Sequence, residues 1–158
     1  MKTKIIFITS LFLLFSFTSI IAQEVEKFDS TLWISNLTLA KVAAAEKGHP
    51  IMLVFSGSDW CKPCIKLKTQ ILLTDTFSIY AKDHFVLLNL DFPRKAKNKL
   101  STEQQAHNDE LASKYNMEGT FPLVVIIDVD GKVLASTGYL DLSPAEYISH
   151  LESLLNKK

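Results

Sequence analysis

The chain has 158 residues, room for one ordinary domain. Apolar residues make up 47% and charged residues 22%, a balance that supports a packed core and excludes a disordered or collagen-like chain. Seventeen basic residues offset seventeen acidic ones, which argues against a nucleic-acid binder, and two cysteines are too few for a disulfide-stapled mini-scaffold.

Residues 1–22 read as an address rather than as structure. Lys2 and Lys4 form a positive start, Ile5 to Ile21 carries no charge, and Ala22 offers a small residue for cleavage before Gln23. This is the three-part pattern of a secretory signal peptide. The uncharged run falls short of the roughly 20 residues that span a bilayer. No Cys follows the small residues, which argues against a lipid-modified N-terminus. The mature chain, residues 23–158, keeps 15 basic and 17 acidic residues, a net charge near −2. It is expected to be a single periplasmic or secreted domain, where disulfides persist.

Helix and strand then alternate. Leu37 to Lys47 is alanine-rich, with Asn36 as a cap, Gly48 at the C′ position and Pro50 blocking continuation. Ile51 to Phe55 is an unbroken apolar run, the signature of a strand buried on both faces. Cys64 to Ile71 predicts a helix, and Phe77 to Lys82 a further short one. Phe85 to Leu90 predicts a second strand, and Pro93 to Lys99 a basic loop. Ser101 caps a helix running to Tyr115. Leu123 to Ile127 predicts a third strand, Asp130-Gly131 a hairpin turn, and Lys132 to Thr137 a fourth strand. Ser143-Pro144-Ala145-Glu146 is a capping box with Pro at the first helical position, opening a helix to about Asn156. The class is α/β with a mixed sheet of about four to five strands.

The chemistry lies in Trp60-Cys61-Lys62-Pro63-Cys64. Both cysteines stand three apart, after a buried strand and at a helix start. Unpaired amide N–H groups at a helix N-terminus stabilise a thiolate, so the Cys61 pKa is expected to fall below about 8.5. Cys61 is expected to be the exposed nucleophile, and Cys64, one turn in, the more buried resolving thiol. Lys62 adds a nearby positive charge, and Pro63 fits the first helical turn without losing a bonded N–H. A zinc site needs about four ligands. There is no second cysteine pair, and His49, His84, His107 and His150 are scattered. Covalent haem needs His after the second Cys, where Ile65 stands. A purely structural disulfide stays open, although so short a loop contributes only about 2 kcal/mol in the chain-entropy model. No metal or cofactor is implied.

Strand, WCxPC, helix and a later strand preceded by proline resemble the thioredoxin superfamily over residues 30–157. The second match is Gly119-Thr120-Phe121-Pro122-Leu123. By that resemblance Pro122 is a cis-proline facing the dithiol. Thr120, Phe121 and Pro122, with Trp60, then receive an extended substrate segment. Phe55 to Cys61 and Asp91-Phe92-Pro93-Arg94 resemble exported bacterial members of the superfamily more than the cytosolic thioredoxin. Two departures stand out. Cytosolic thioredoxins bury an Asp in the strand before the dithiol, and the matching position here is Val54 or Phe55. Lys62 replaces a Gly, and residues between the cysteines tune the reduction potential. Asp59 and Lys66 lie near the motif, with nothing in the sequence to place them against Cys64.

The resemblance implies a thiol–disulfide oxidoreductase, a monomer, acting on protein substrates with disulfides. The reductive direction is favoured, which requires a membrane electron-transfer partner. Its alternatives are a disulfide-donating oxidant and a non-catalytic peptide-binding module. Trp33, Phe28 and Tyr80 read as core or rim packing. Arg94, Lys95, Lys97 and Lys99 read as a solvated loop, or in a sharper reading as a docking patch for an acidic partner. Asp128-Val129-Asp130-Gly131 starts like a calcium loop but lacks the further ligands.

Overall fold

The computed structural model describes residues 32–157. The signal-peptide reading of residues 1–22, the Ala22/Gln23 junction and Phe28 lie outside the described residues.

A five-stranded sheet carries the fold, in the order β1-β3-β2-β4-β5. Its strands are β1 (Trp33–Ile34), β2 (Ile51–Ser56), β3 (Val86–Asp91), β4 (Leu123–Ile127) and β5 (Val133–Thr137). β1, β3 and β2 run parallel, β4 is antiparallel to β2, and β5 is antiparallel to β4. Successive side chains of β2 enter opposite faces, so its apolar run supplies both. Met52 and Val54 join Leu67, Leu72, Phe77, Val124, Ile126 and Tyr147 on one face. Ile51, Leu53 and Phe55 join Ala40, Ala44, Leu88, Leu111 and Val125 on the other.

Helices α1 (Leu37–Lys47) and α4 (Thr102–Tyr115) cover the second face, and α2 (Lys62–Leu67), α3 (Asp75–His84) and α5 (Pro144–Leu155) the first. Their starts follow the capping chemistry of the sequence. Asn36, Thr74, Ser101 and Ser143 each accept from a backbone N–H of the first turn, and Glu146 closes the box with Ser143. Gly48 ends α1 in the left-handed conformation, φ 69°, where a Cβ would be strained.

Three boundaries differ from expectation. β1 is two residues long, too short to show a period, and holds the expected packing residue Trp33. The helix expected from Cys64 to Ile71 starts earlier, at Lys62, and widens after Leu67 into a π-helical turn over Lys68–Leu72. Phe85 closes α3 instead of opening β3, because its N–H bonds back to the Ala81 carbonyl. The Asp128 loop is the hairpin turn. Its Oδ1 accepts from the N–H groups of Asp130 and Lys132, and Gly131 takes φ 90°.

Candidate active site

β2 ends in a turn that delivers the dithiol. The Gly57 carbonyl accepts from the N–H groups of Trp60 and Cys61, at 3.3 and 2.9 Å. Gly57 is required by contact, since a Cβ there would collide with the Trp60 indole. Cys61 is then the N-cap of α2, and its Sγ accepts from the Cys64 N–H at 3.3 Å. The two sulfurs are bonded to each other. Lys62 and Pro63 are exposed on the first turn.

Cys61 is less open than expected. It is 5% exposed and Cys64 is 3% exposed. The physical reason is the cap itself: a side chain turned back onto the first-turn amides is turned away from solvent. The order of burial is the expected one, by a small margin.

Beneath Cys64 lies a cleft of about 130 Å³, lined by Trp33, Val54, Ser56, Leu72 and Asn89 among others. Val54 and Asn89 are register neighbours on β2 and β3. Where cytosolic thioredoxins place a buried carboxylate, this chain thus has a valine facing open space, with Ser56, Asn89 and Lys68 as polar groups at its edge. Asp59 and Lys66 do not serve there. Lys66 stands over the Tyr139 ring, and Asp59 faces the opposite way.

The other wall is aromatic. Trp60 donates its Nε1–H to the Phe92 carbonyl at 2.7 Å and packs edge-on against Phe121, with ring centres 5.5 Å apart. Phe92 meets Phe121 at 5.3 Å and Phe55 at 6.4 Å. Phe121 precedes Pro122, and the bond between them is cis. The pairing of Phe55 with Leu123 brings Pro122 to the dithiol end of the sheet. Thr120 is exposed, and its backbone is gripped by the buried Asn116. The Asn116 side chain donates to the Thr120 carbonyl at 2.9 Å and accepts its N–H at 2.8 Å.

Sequence reasoning missed the polar fasteners of this wall. Asp59 accepts the N–H groups of Arg94 and Lys95 at 2.9 and 3.0 Å, and the Asn98 amide at 2.9 Å. The Arg94 N–H, with those other donors, holds its carboxyl below the usual range. Asp91 accepts from the Ser58 N–H and hydroxyl and from the Phe92 N–H. Arg94 lays its guanidinium over the Trp60 ring, 3.6 Å from the centroid. The one available signal was a pair of carboxylates beside Trp60 and Phe92. Apart from the adjacent Phe92 N–H, their partners lie more than 30 positions away, beyond any local pattern.

Residues 37–155 match the family model of a thioredoxin-like domain. The disulfide bond reductase DsbH of Chlamydia pneumoniae is 42% identical over 106 residues, covering 67% of this chain and 62% of that protein. The thioredoxin-related protein DsbJ of the same organism is 24% identical over 131 residues, covering 83% of this chain and 37% of that protein. The chain thus spans less than two thirds of the length of these curated relatives. The solved structure of a DsbH oxidoreductase is similar at a TM-score of 0.72 and 32% identity, covering 86% of this chain and 95% of that one.

Proposed function

The chain belongs to the thioredoxin-like family, and on that premise we propose that it is an extracytoplasmic thiol–disulfide oxidoreductase that reduces disulfides in proteins through Cys61 and Cys64. The observation that carries this reading is the dithiol's seat. The Cys61 sulfur accepts from the first-turn Cys64 N–H at the start of α2, which stabilises charge on it once the disulfide opens.

In the reduced protein the Cys61 thiolate attacks one sulfur of a substrate disulfide, and the other substrate sulfur leaves as a thiolate. Cys64 loses its proton and attacks the Cys61 sulfur, releasing the second substrate thiolate. Two electrons pass to the substrate, and the Cys61–Cys64 disulfide described above is the product state. Trp60, Thr120, Phe121 and Pro122 form the wall for the substrate segment; Lys62 and Pro63 set the electrostatics and start of α2. Disulfide reduction named for the DsbH relative supports the reductive direction. Repeated turnover then requires an outside electron donor, which for an extracytoplasmic reductase is a membrane electron-transfer partner.

The first test is the reduction potential of the pair against glutathione buffers. A value near −270 mV supports a reductase, whereas one near −120 mV makes the protein an oxidant. In parallel, Cys64→Ser is expected to accumulate mixed disulfides through Cys61, naming the substrates. If Cys61→Ser/Cys64→Ser retains every partner and wild type reduces none, the protein is a binding module.

A further inference from the structure

The chain as a whole is electrically neutral, yet its dithiol end is not. Lys62 stands exposed between the cysteines, and Arg94, Lys95, Lys97 and Lys99 are exposed on the loop after β3. The two carboxylates in the same stretches, Asp59 and Asp91, are half-buried and occupied by backbone and side-chain donors. The next carboxylate along the chain, Glu103, lies beyond the loop, in the first turn of α4. An approaching molecule therefore meets cations.

Arg94 is also fixed in place. Its backbone is bonded to Asp59 and its guanidinium is stacked on Trp60, the residue before Cys61. A guanidinium stacked on an indole keeps its N–H fork at the ring's rim, where it matches a carboxylate in a bidentate pair. The lysines around it add a long-range field.

We propose that Arg94, with Lys95, Lys97 and Lys99, is a carboxylate-recognition surface beside the dithiol, which selects polypeptides with Asp or Glu near the disulfide to be exchanged. The kinetic part rests on the oxidoreductase reading above; the binding part does not. A polypeptide is favoured over an anionic lipid because the fixed cation is stacked on Trp60, the residue before the reacting Cys61.

The test uses two peptide disulfides identical except for Glu or Lys beside the cysteines. With pre-reduced protein at low ionic strength, kcat/KM is expected to be about tenfold higher for the Glu peptide. The ratio should shrink toward one at high salt. Changing Lys95, Lys97 and Lys99 together to Gln should cut the ratio about threefold while a neutral peptide keeps its rate. Arg94→Gln should remove most of the rest. Equal measurable rates for the two peptides, or a faster Lys peptide, overturn the proposal. A redox-independent reading comes from the Cys61→Ser/Cys64→Ser protein, in which the Trp60 Nε1–H resonance should shift with the Glu peptide and not with the Lys peptide. If it does so while wild type reduces neither peptide, the oxidoreductase reading falls and the surface stands. If only phosphatidylglycerol vesicles move that resonance, the surface is a membrane contact and the proposal falls.

Discussion

The two faces of the sheet end differently beneath the same dithiol. On the face covered by α2, α3 and α5, Val54 borders the open cleft under Cys64. On the face covered by α1 and α4, Phe55 abuts Phe92, which leads through Phe121 to Trp60. One face stops in space and the other in packed rings. The Cys64 sulfur therefore sits over a floor with room to rearrange, while the aromatic wall proposed to receive the substrate is braced from the core outward. Dense packing transmits a displacement, whereas a cleft absorbs it.

The largest expected contrast comes from truncating neighbours on β2. Phe55→Ala should cost about 4 kcal/mol in denaturant unfolding and disturb Trp60. Val54→Ala should cost less than half of that, because the cleft already removes contacts from one side of the valine. Equal losses would break the comparison. A middle effect is expected at the loop before Pro122. Asn116→Ala leaves the Thr120 backbone without its two partners, at a cost of about 2 kcal/mol. It should also raise KM for peptide disulfides more than it lowers kcat. The reverse pattern would mean that Asn116 supports the fold and not the substrate wall.

The smallest effect concerns pH. The Asp59 carboxyl is held below its usual range in the folded protein. Its contribution is complete above the unfolded value of about 3.9 and is lost as pH falls through the folded value. On acidification below about pH 4, near-ultraviolet dichroism from the Trp60 wall should decay before the far-ultraviolet helical signal. Simultaneous decay would show that the fastening is inseparable from the global fold.

Much of this was legible locally. The all-apolar β2, the Asn36 and Ser143 caps and the WCKPC segment each write their structure into neighbouring residues. The α/β class with a mixed sheet of about four to five strands, and the family, are borne out. What was illegible depends on distant partners. β1 exists because Trp33 and Ile34 find β3, not because two residues have a pattern. Arg94 is exposed, as a solvated loop residue should be, but nothing in residues 93–99 reveals that it stacks on an indole 34 positions earlier. The grip of Asn116 on Thr120 spans only four positions, yet it closes around a turn whose shape no composition rule specifies.

The chain contains two tryptophans, and they divide between the faces. Trp33 lines the cleft beneath Cys64, and Trp60 crowns the aromatic stack. Each indole is thus an optical reporter of one face, with emission sensitive to nearby sulfur and to bound water. Replacing either one with Phe isolates the light of the other, so that floor and wall can be watched separately while the dithiol is opened and closed.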